Sequence, residues 1–258
     1  GDGFELCNSA LSPDGRWLLV VTEPKGERGR GGKMPKYVTE SGYEEAEDVR
    51  VRVGRNPPLG QQLKLVDLQD GSVRDVPLDG LAGIGTDPLA DLRRAAKLEA
   101  LKGNRPVRID GLQWSDDGRQ VALMARAIDN KDRWIATVDT GAATLRVAHR
   151  LTDRAWINWN FNDFGWLPDQ RTLWYLSEES GYSHLYVLPA GGRPRALTQG
   201  KWEASSPVWS ADGSTAYVLC NRAWPGDYEV CAVPRDGGEV REVTALDGVE
   251  DFSLSPDG

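Results

Sequence analysis

Ser12-Pro13-Asp14-Gly15 is the stretch whose reading decides the fold, because it recurs. It returns as Ser115-Asp116-Asp117-Gly118, Ser210-Ala211-Asp212-Gly213 and Ser255-Pro256-Asp257-Gly258, with Trp166-Leu167-Pro168-Asp169 as a degenerate copy. Asp accepts hydrogen bonds from the backbone ahead of it and Gly tolerates positive φ, so the tetrapeptide makes a tight reversal between strands. Trp114, Trp166 and Trp209 stand at or just before three of the copies, at spacings of about 40 to 50 residues, which is the length of one propeller blade. The interval from Ser12 to Ser115 is about twice that and must hold an extra blade or large insertions.

Working outward, an apolar strand follows each turn, over Trp17 to Thr22, Gln120 to Ala125, Thr172 to Leu176 and Thr215 to Cys220. A second strand follows at Gln62 to Leu68, Trp134 to Asp139, His184 to Pro189 and Tyr228 to Pro234. Gly-rich hairpin turns come next, as in Asp70-Gly71-Ser72, Ala190-Gly191-Gly192 and Asp236-Gly237-Gly238. Each unit is a small antiparallel meander that cannot cover its own faces, so neighbours must stack, and stacking around a central channel is the usual solution. The expected fold class is all-β, a β-propeller segment of stacked antiparallel four-stranded blades, with one short helical insertion and one extended arm. Ten tryptophans and 29 glycines agree with many short strands.

The helical insertion is expected over 86–103, with Thr86 or Asp87 as cap, Pro88 in the first turn, leucines at 89, 92, 98 and 101 packed inward, and Gly103 as the stop. The arm is expected over about 24–60. There Lys25, Arg28, Arg30, Lys33 and Lys36 precede Glu40, Glu44, Glu45, Glu47 and Asp48. Opposite charges so arranged suit pairing with a second copy across a two-fold axis, so Arg28, Arg30, Lys33, Lys36, Glu44 and Glu45 are candidate oligomerisation residues; a solvated loop is the alternative.

Composition excludes several function classes. The 258 residues carry 31 Lys plus Arg against 39 Asp plus Glu, a net charge of −8, which disfavours nucleic acid as a partner. No apolar run approaches the ~20 residues of a membrane span, and no export signal opens the chain. Two histidines and three cysteines supply neither a His-rich metal site nor a disulfide framework, and no cofactor is expected. Cys220 and Cys231 lie on successive strands, where a cross-strand disulfide is geometrically possible and two buried thiols are the alternative; Cys7 is unpaired either way.

No catalytic residue emerges. A nucleophile elbow, Gly-x-Ser-x-Gly, is absent, and its nearest approach, Gly181-Tyr182-Ser183-His184-Leu185, lacks the closing Gly and runs into a strand. His149 and His184 are expected as structural hydrogen-bonding residues. Glu44-Glu45 and Glu178-Glu179 are chemically able to hold an ammonium group, with plain surface exposure as the simpler reading. A sialidase-type Asp-box does not fit, because the motif here is shorter.

Tyr175-Leu176-Ser177-Glu178-Glu179-Ser180-Gly181-Tyr182-Ser183-His184-Leu185, followed by Leu197-Thr198-Gln199-Gly200-Lys201-Trp202-Glu203, resembles the N-terminal propeller of the prolyl oligopeptidase family, dipeptidyl peptidase IV branch. The resemblance implies a propeller joined to an α/β-hydrolase domain that bears the catalytic triad and is absent from residues 1–258. It implies peptide substrates met through that missing domain, gating and orientation by the propeller, and a homodimer of the parent held by an arm where 24–60 falls. It also places a glutamate pair for the substrate's amino terminus at or before Gly1, so that role does not pass to Glu178-Glu179 or Glu44-Glu45. An exported parent is implied as well. The chain alone is expected to be inactive, and a stand-alone propeller scaffold for a protein partner is the alternative.

Overall fold

A computed structural model describes residues 3–26, 31–51, 59–158 and 160–255. The first sheet opens with β1 (Phe4–Leu11) and β2 (Trp17–Pro24), which a hairpin of β3 (Gly31–Lys36) and β4 (Glu45–Val51) separates from β5 (Gln62–Asp67) and β6 (Val73–Val76). A short helix α1 (Ala90–Ala95) lies in the link to the second sheet, β7 (Val107–Trp114), β8 (Val121–Ala127), β9 (Asp132–Asp139) and β10 (Thr144–Thr152). The third holds β11 (Phe164–Trp166), β12 (Thr172–Ser177), β13 (His184–Pro189) and β14 (Arg195–Ala196), and the fourth β15 (Ala204–Trp209), β16 (Thr215–Trp224), β17 (Asp227–Pro234) and β18 (Arg241–Glu242). All four are antiparallel meanders in chain order, and among the described residues the two hairpin strands pair only with each other. The long first interval therefore holds insertions, not an extra blade.

The repeated tetrapeptide makes the same turn each time. Ser12 Oγ donates to Asp14 at 2.5 Å and accepts from the Trp17 amide at 2.8 Å, while the Arg16 amide donates to Asp14. Ser115 with Asp117 and Ser210 with Asp212 repeat these bonds, each at 2.7 Å. Gly15, Gly118 and Gly213 sit at φ of +72°, +68° and +67°, which a side chain resists. In the degenerate copy Gln170 holds that position at φ +59° and Asp169 binds the Arg171 and Thr172 amides. The tryptophans fasten blade to blade: the Trp114 indole donates to Ala10 O on β1, and that of Trp166 to Gln113 O on β7.

The core is the set of seams between sheets. Leu19, Val21, Leu63 and Leu65 of the first sheet meet Val121, Leu123, Trp134 and Ala136 of the second. The alternate residues Ala122, Met124 and Ile135 face Leu173, Tyr175, Tyr186 and Leu188 of the third. Leu176, Leu185 and Val187 then meet Ala216, Val218, Cys220 and Cys231 of the fourth. A central strand buried on both faces needs a continuous apolar run, and every residue of β8 is buried. The inner strands bulge: Cys7 in β1, Asp110 in β7 and Ser206-Pro207 in β15 have no one-to-one partner on the strand beside them.

The helical insertion is shorter than expected. Helix α1 covers only six residues, Leu89 stands at its cap, and Asp87 instead binds the Leu89 amide and the Arg93 side chain. Lys97 at φ +55° breaks the helical path, and Leu92, Leu98 and Leu101 are exposed, so no packed stripe exists to prolong the helix. In the arm, Lys33 lies opposite Asp48 and Lys36 opposite Glu45, with Lys33 Nζ 2.7 Å from Asp48, so the two charge runs face each other within one hairpin. Glu44 precedes β4 and is exposed; Arg28 and Arg30 lie outside the described residues.

Candidate functional site

The repeated turns mark one end of the sheets. The opposite end, where the blade-to-blade links run, gathers the polar chemistry. There a cleft of about 620 Å³ opens between the inner strands, with Asp110, Arg126, Asn162, Asp163 and Ser205 on its walls. Asp110 reaches it because the bulge in β7 turns its side chain out of the ladder, and it pairs with Arg126 Nη2 at 3.0 Å. Burial raises the Asp110 carboxyl above its ordinary range, with Arg126 opposing. Gly111 must lack a side chain, since a Cβ there would stand 2.9 Å from Phe164. Two non-glycine residues on the cleft, Phe161 at φ +58° and Ser206 at φ +50°, hold backbone conformations that persist only where surrounding contacts impose them.

Asn162 supplies that contact on one wall. Its Nδ2 donates to Asn158 O and Asn160 O, both at 2.8 Å, and its Oδ1 accepts from Arg133 Nη1 at 2.5 Å. Arg133 is buried, and its Nε and Nη2 have no hydrogen-bond partner among the described residues. Desolvation lowers its pKa to about 10, against the opposing charges of Glu179, Glu178 and Asp110, so it stays a cation at neutral pH. Beside it, burial and the Glu179 charge push the Tyr175 hydroxyl up, and this hydroxyl also lacks a partner among the described residues. Burial acts to raise Glu179, but the His149 bond at 2.8 Å, the Ser177 hydroxyl and Arg133 outweigh it and leave the carboxyl below its usual range.

The link to α1 is tied down by a second charged group. Asp132, fully buried, accepts from Arg105 Nη2 at 2.5 Å, Arg150 Nε at 2.7 Å and Thr152 Oγ1 at 2.5 Å. Arg105 also donates to the Gly83 and Ile84 carbonyls, fixing the chain where it re-enters β7.

Of the residues singled out in the sequence, Glu179 is engaged with His149 and Ser177, and Glu178 with Asn158 at 3.4 Å. His184 bonds Thr198 Oγ1 at 3.0 Å and Gly200 O at 3.1 Å and lies edge-on to Trp202. Ser183 Oγ donates to Ala204 O, and the Leu197 amide to Leu185 O. The two halves of the diagnostic string therefore form one joint between the third and fourth sheets. Cys220 and Cys231 are joined as a disulfide with Cα atoms 5.9 Å apart, and Cys7 is a free, exposed thiol. Arg133, Asn162, Arg105 and Asp132 were not singled out; Asp132 and Arg133 show as charge at the start of an otherwise apolar strand, Asp132-Arg133-Trp134-Ile135, whereas Arg105 and Asn162 lie in links and carry no such signal. No group of three or more His, Cys, Asp or Glu able to hold a metal occurs among the described residues. Among the same residues, no helix is long and apolar enough to cross a membrane.

Four-stranded meanders stacked face to face and fastened along their inner strands define a β-propeller segment. Residues 62–258 match the family described as "Dipeptidyl peptidase IV (DPP IV) N-terminal region", and the chain belongs to it. It is 33% identical over 93 residues to a probable dipeptidyl peptidase 4 of Aspergillus clavatus, a match covering 34% of this chain and 12% of that protein. It is 30% identical over 122 residues to the uncharacterized peptidase YuxL of Bacillus subtilis, covering 43% of this chain and 17% of the relative. The chain thus spans a minor part of these relatives. The crystal structure of Porphyromonas gingivalis dipeptidyl peptidase 4 shares the fold at a TM-score of 0.68 and 17% identity, over 96% of this chain and 32% of that one. A putative dipeptidyl aminopeptidase IV from Bacteroides ovatus does so at 0.62 and 14%, over 93% and 35%.

Proposed function

We propose that this chain is the non-catalytic propeller part of a dipeptidyl peptidase IV-like serine peptidase, and that it admits and orients peptide substrates for a catalytic domain outside residues 1–258. The family match over residues 62–258 carries the reading. The cleft on the inner strands supports the orienting role: its walls offer carboxylate, amide and hydroxyl groups suited to peptide backbones, from strands β7 and β15 and from the link that Asn162 and Arg133 hold. Arm 24–60 is proposed to join two copies of the parent. With Lys33 engaged to Asp48 inside the hairpin, its contact surface is the exposed apolar set Tyr37, Val38 and Tyr43.

In the full-length protein, Asn162→Leu is expected to free the Asn158 and Asn160 carbonyls and change kcat/KM for long peptides more than for dipeptidyl substrates. Equal change for both removes the orienting role. Deleting residues 25–58 is expected to halve the mass in solution, and an unchanged mass removes the arm.

A further inference from the structure

The Cys220–Cys231 bond lies where no reagent reaches it. The two cysteines are 1% and 0% exposed and sit in the seam between the third and fourth sheets, among Leu185, Val187, Val218 and Val233. They are not directly opposite in the ladder: Cys231 faces Val218, and Cys220 faces Glu229, so the bridge runs diagonally across the two central strands of the sheet. Thiol–disulfide exchange needs an attacking sulfur to approach the bond from outside. The packed seam denies that approach from the side of the third sheet.

The hairpin alone denies nothing. The cysteines are 11 residues apart in sequence, and loops of that size close in about 10–100 ns, long before distant sheets meet. We infer that this disulfide is put in during folding, on the open β16–β17 hairpin before the third sheet covers it, in a compartment that supplies a protein disulfide as oxidant. A thiolate of the hairpin attacks the donor's disulfide, and the second cysteine then displaces the donor from the mixed disulfide. The two thiols give up two protons and two electrons, and the donor leaves as a dithiol. Such donors act in oxidising compartments, whereas the cytosolic thiol pool keeps cysteines reduced.

Cys7 fits the same scheme. It lies on β1 in the first sheet, far along the chain from the hairpin, and remains a free thiol. Slight desolvation of its sulfur and the neighbouring Glu23 push it up to about 11, which leaves little thiolate at neutral pH to attack a newly made bond. An odd number of cysteines therefore does not oblige the chain to scramble.

The test is the state of the full-length protein taken from the cells that make it, alkylated at harvest under denaturing conditions without reductant and digested with trypsin. Trypsin cuts after Arg222, so Cys220 and Cys231 fall on different peptides and stay together only through sulfur. The expected result is one joined pair with Cys7 alkylated. Both hairpin cysteines alkylated separately would overturn the inference. A second measurement addresses order: folded protein in a membrane-impermeant phosphine is expected to keep the joined pair, and unfolded protein to lose it. Equal loss from both would show that the bond is open to exchange after folding and overturn the claim that it must precede packing.

Discussion

The two ends of the blades solve opposite problems. At the turn end, the three Ser-x-Asp-Gly reversals satisfy their own polar groups within six residues, and Ser12, Ser115 and Ser210 do so with equivalent partners. At the link end, stability rests on groups far apart in sequence, such as Arg105 with Asp132 and Arg133 with Asn162, and several buried polar atoms lack a partner. The contrast teaches that the turn end builds the array, while the link end keeps costly buried charge, the usual mark of a surface selected for something besides stability.

The largest expected effect is at the link end. Asp132→Ala leaves two guanidinium groups facing a vacated buried site, and the cost is about 3–5 kcal/mol, read as a lowered midpoint in urea unfolding. A loss under 1 kcal/mol would show that the link end is held by packing alone. Next is the turn end: Gly118→Val forces a β-branched residue to φ +68°, at about 1–3 kcal/mol in the same assay. Tolerance of valine there would mean that the turn does not need its left-handed residue.

The smallest effect separates the ends by sign. Asp169 and Asp212 are both lowered to about 2. At Asp169 burial opposes the shift, and the Arg171, Thr172 and Arg235 bonds overcome it; at Asp212 the Ser210 and Ser214 bonds act nearly unopposed. A carboxyl depressed on folding stabilises the fold above its unfolded pKa and stops doing so as pH falls through the folded one. Stability is thus expected to drop between about pH 4 and pH 2, with a shallower slope in Asp169→Asn. Asp110, raised by burial, works the other way: protonating it removes a buried charge, so Asp110→Asn should steepen the net acid slope. Equal slopes in both variants would erase the distinction.

Much of the turn end was legible because its information is local. Ser-x-Asp-Gly specifies a turn from four consecutive residues, and the strands that follow it begin and end within a few residues of their expected places. Gln170 shows the limit: nothing in its type announces a left-handed backbone, which is held by a side-chain bridge to Asp116 from the neighbouring blade. The helix over 86–103 was overread because leucine spacing implies a covered face, and here no element of the fold covers Leu92 or Leu98. The charge runs of the arm were seen, but not that a hairpin would set them against each other. The pairing of Arg133 with Asn162 was illegible, since it joins β9 to a link 29 residues away.

The inner-strand bulges carry one more consequence. Asp110 and Ser206 each occupy a position that the sheet's hydrogen-bond ladder skips, so replacing one changes what the cleft presents without asking the neighbouring strand to re-pair. The lining of that cleft can then diversify one blade at a time, a carboxylate here, a hydroxyl in the next, while the scaffold behind it stays the same.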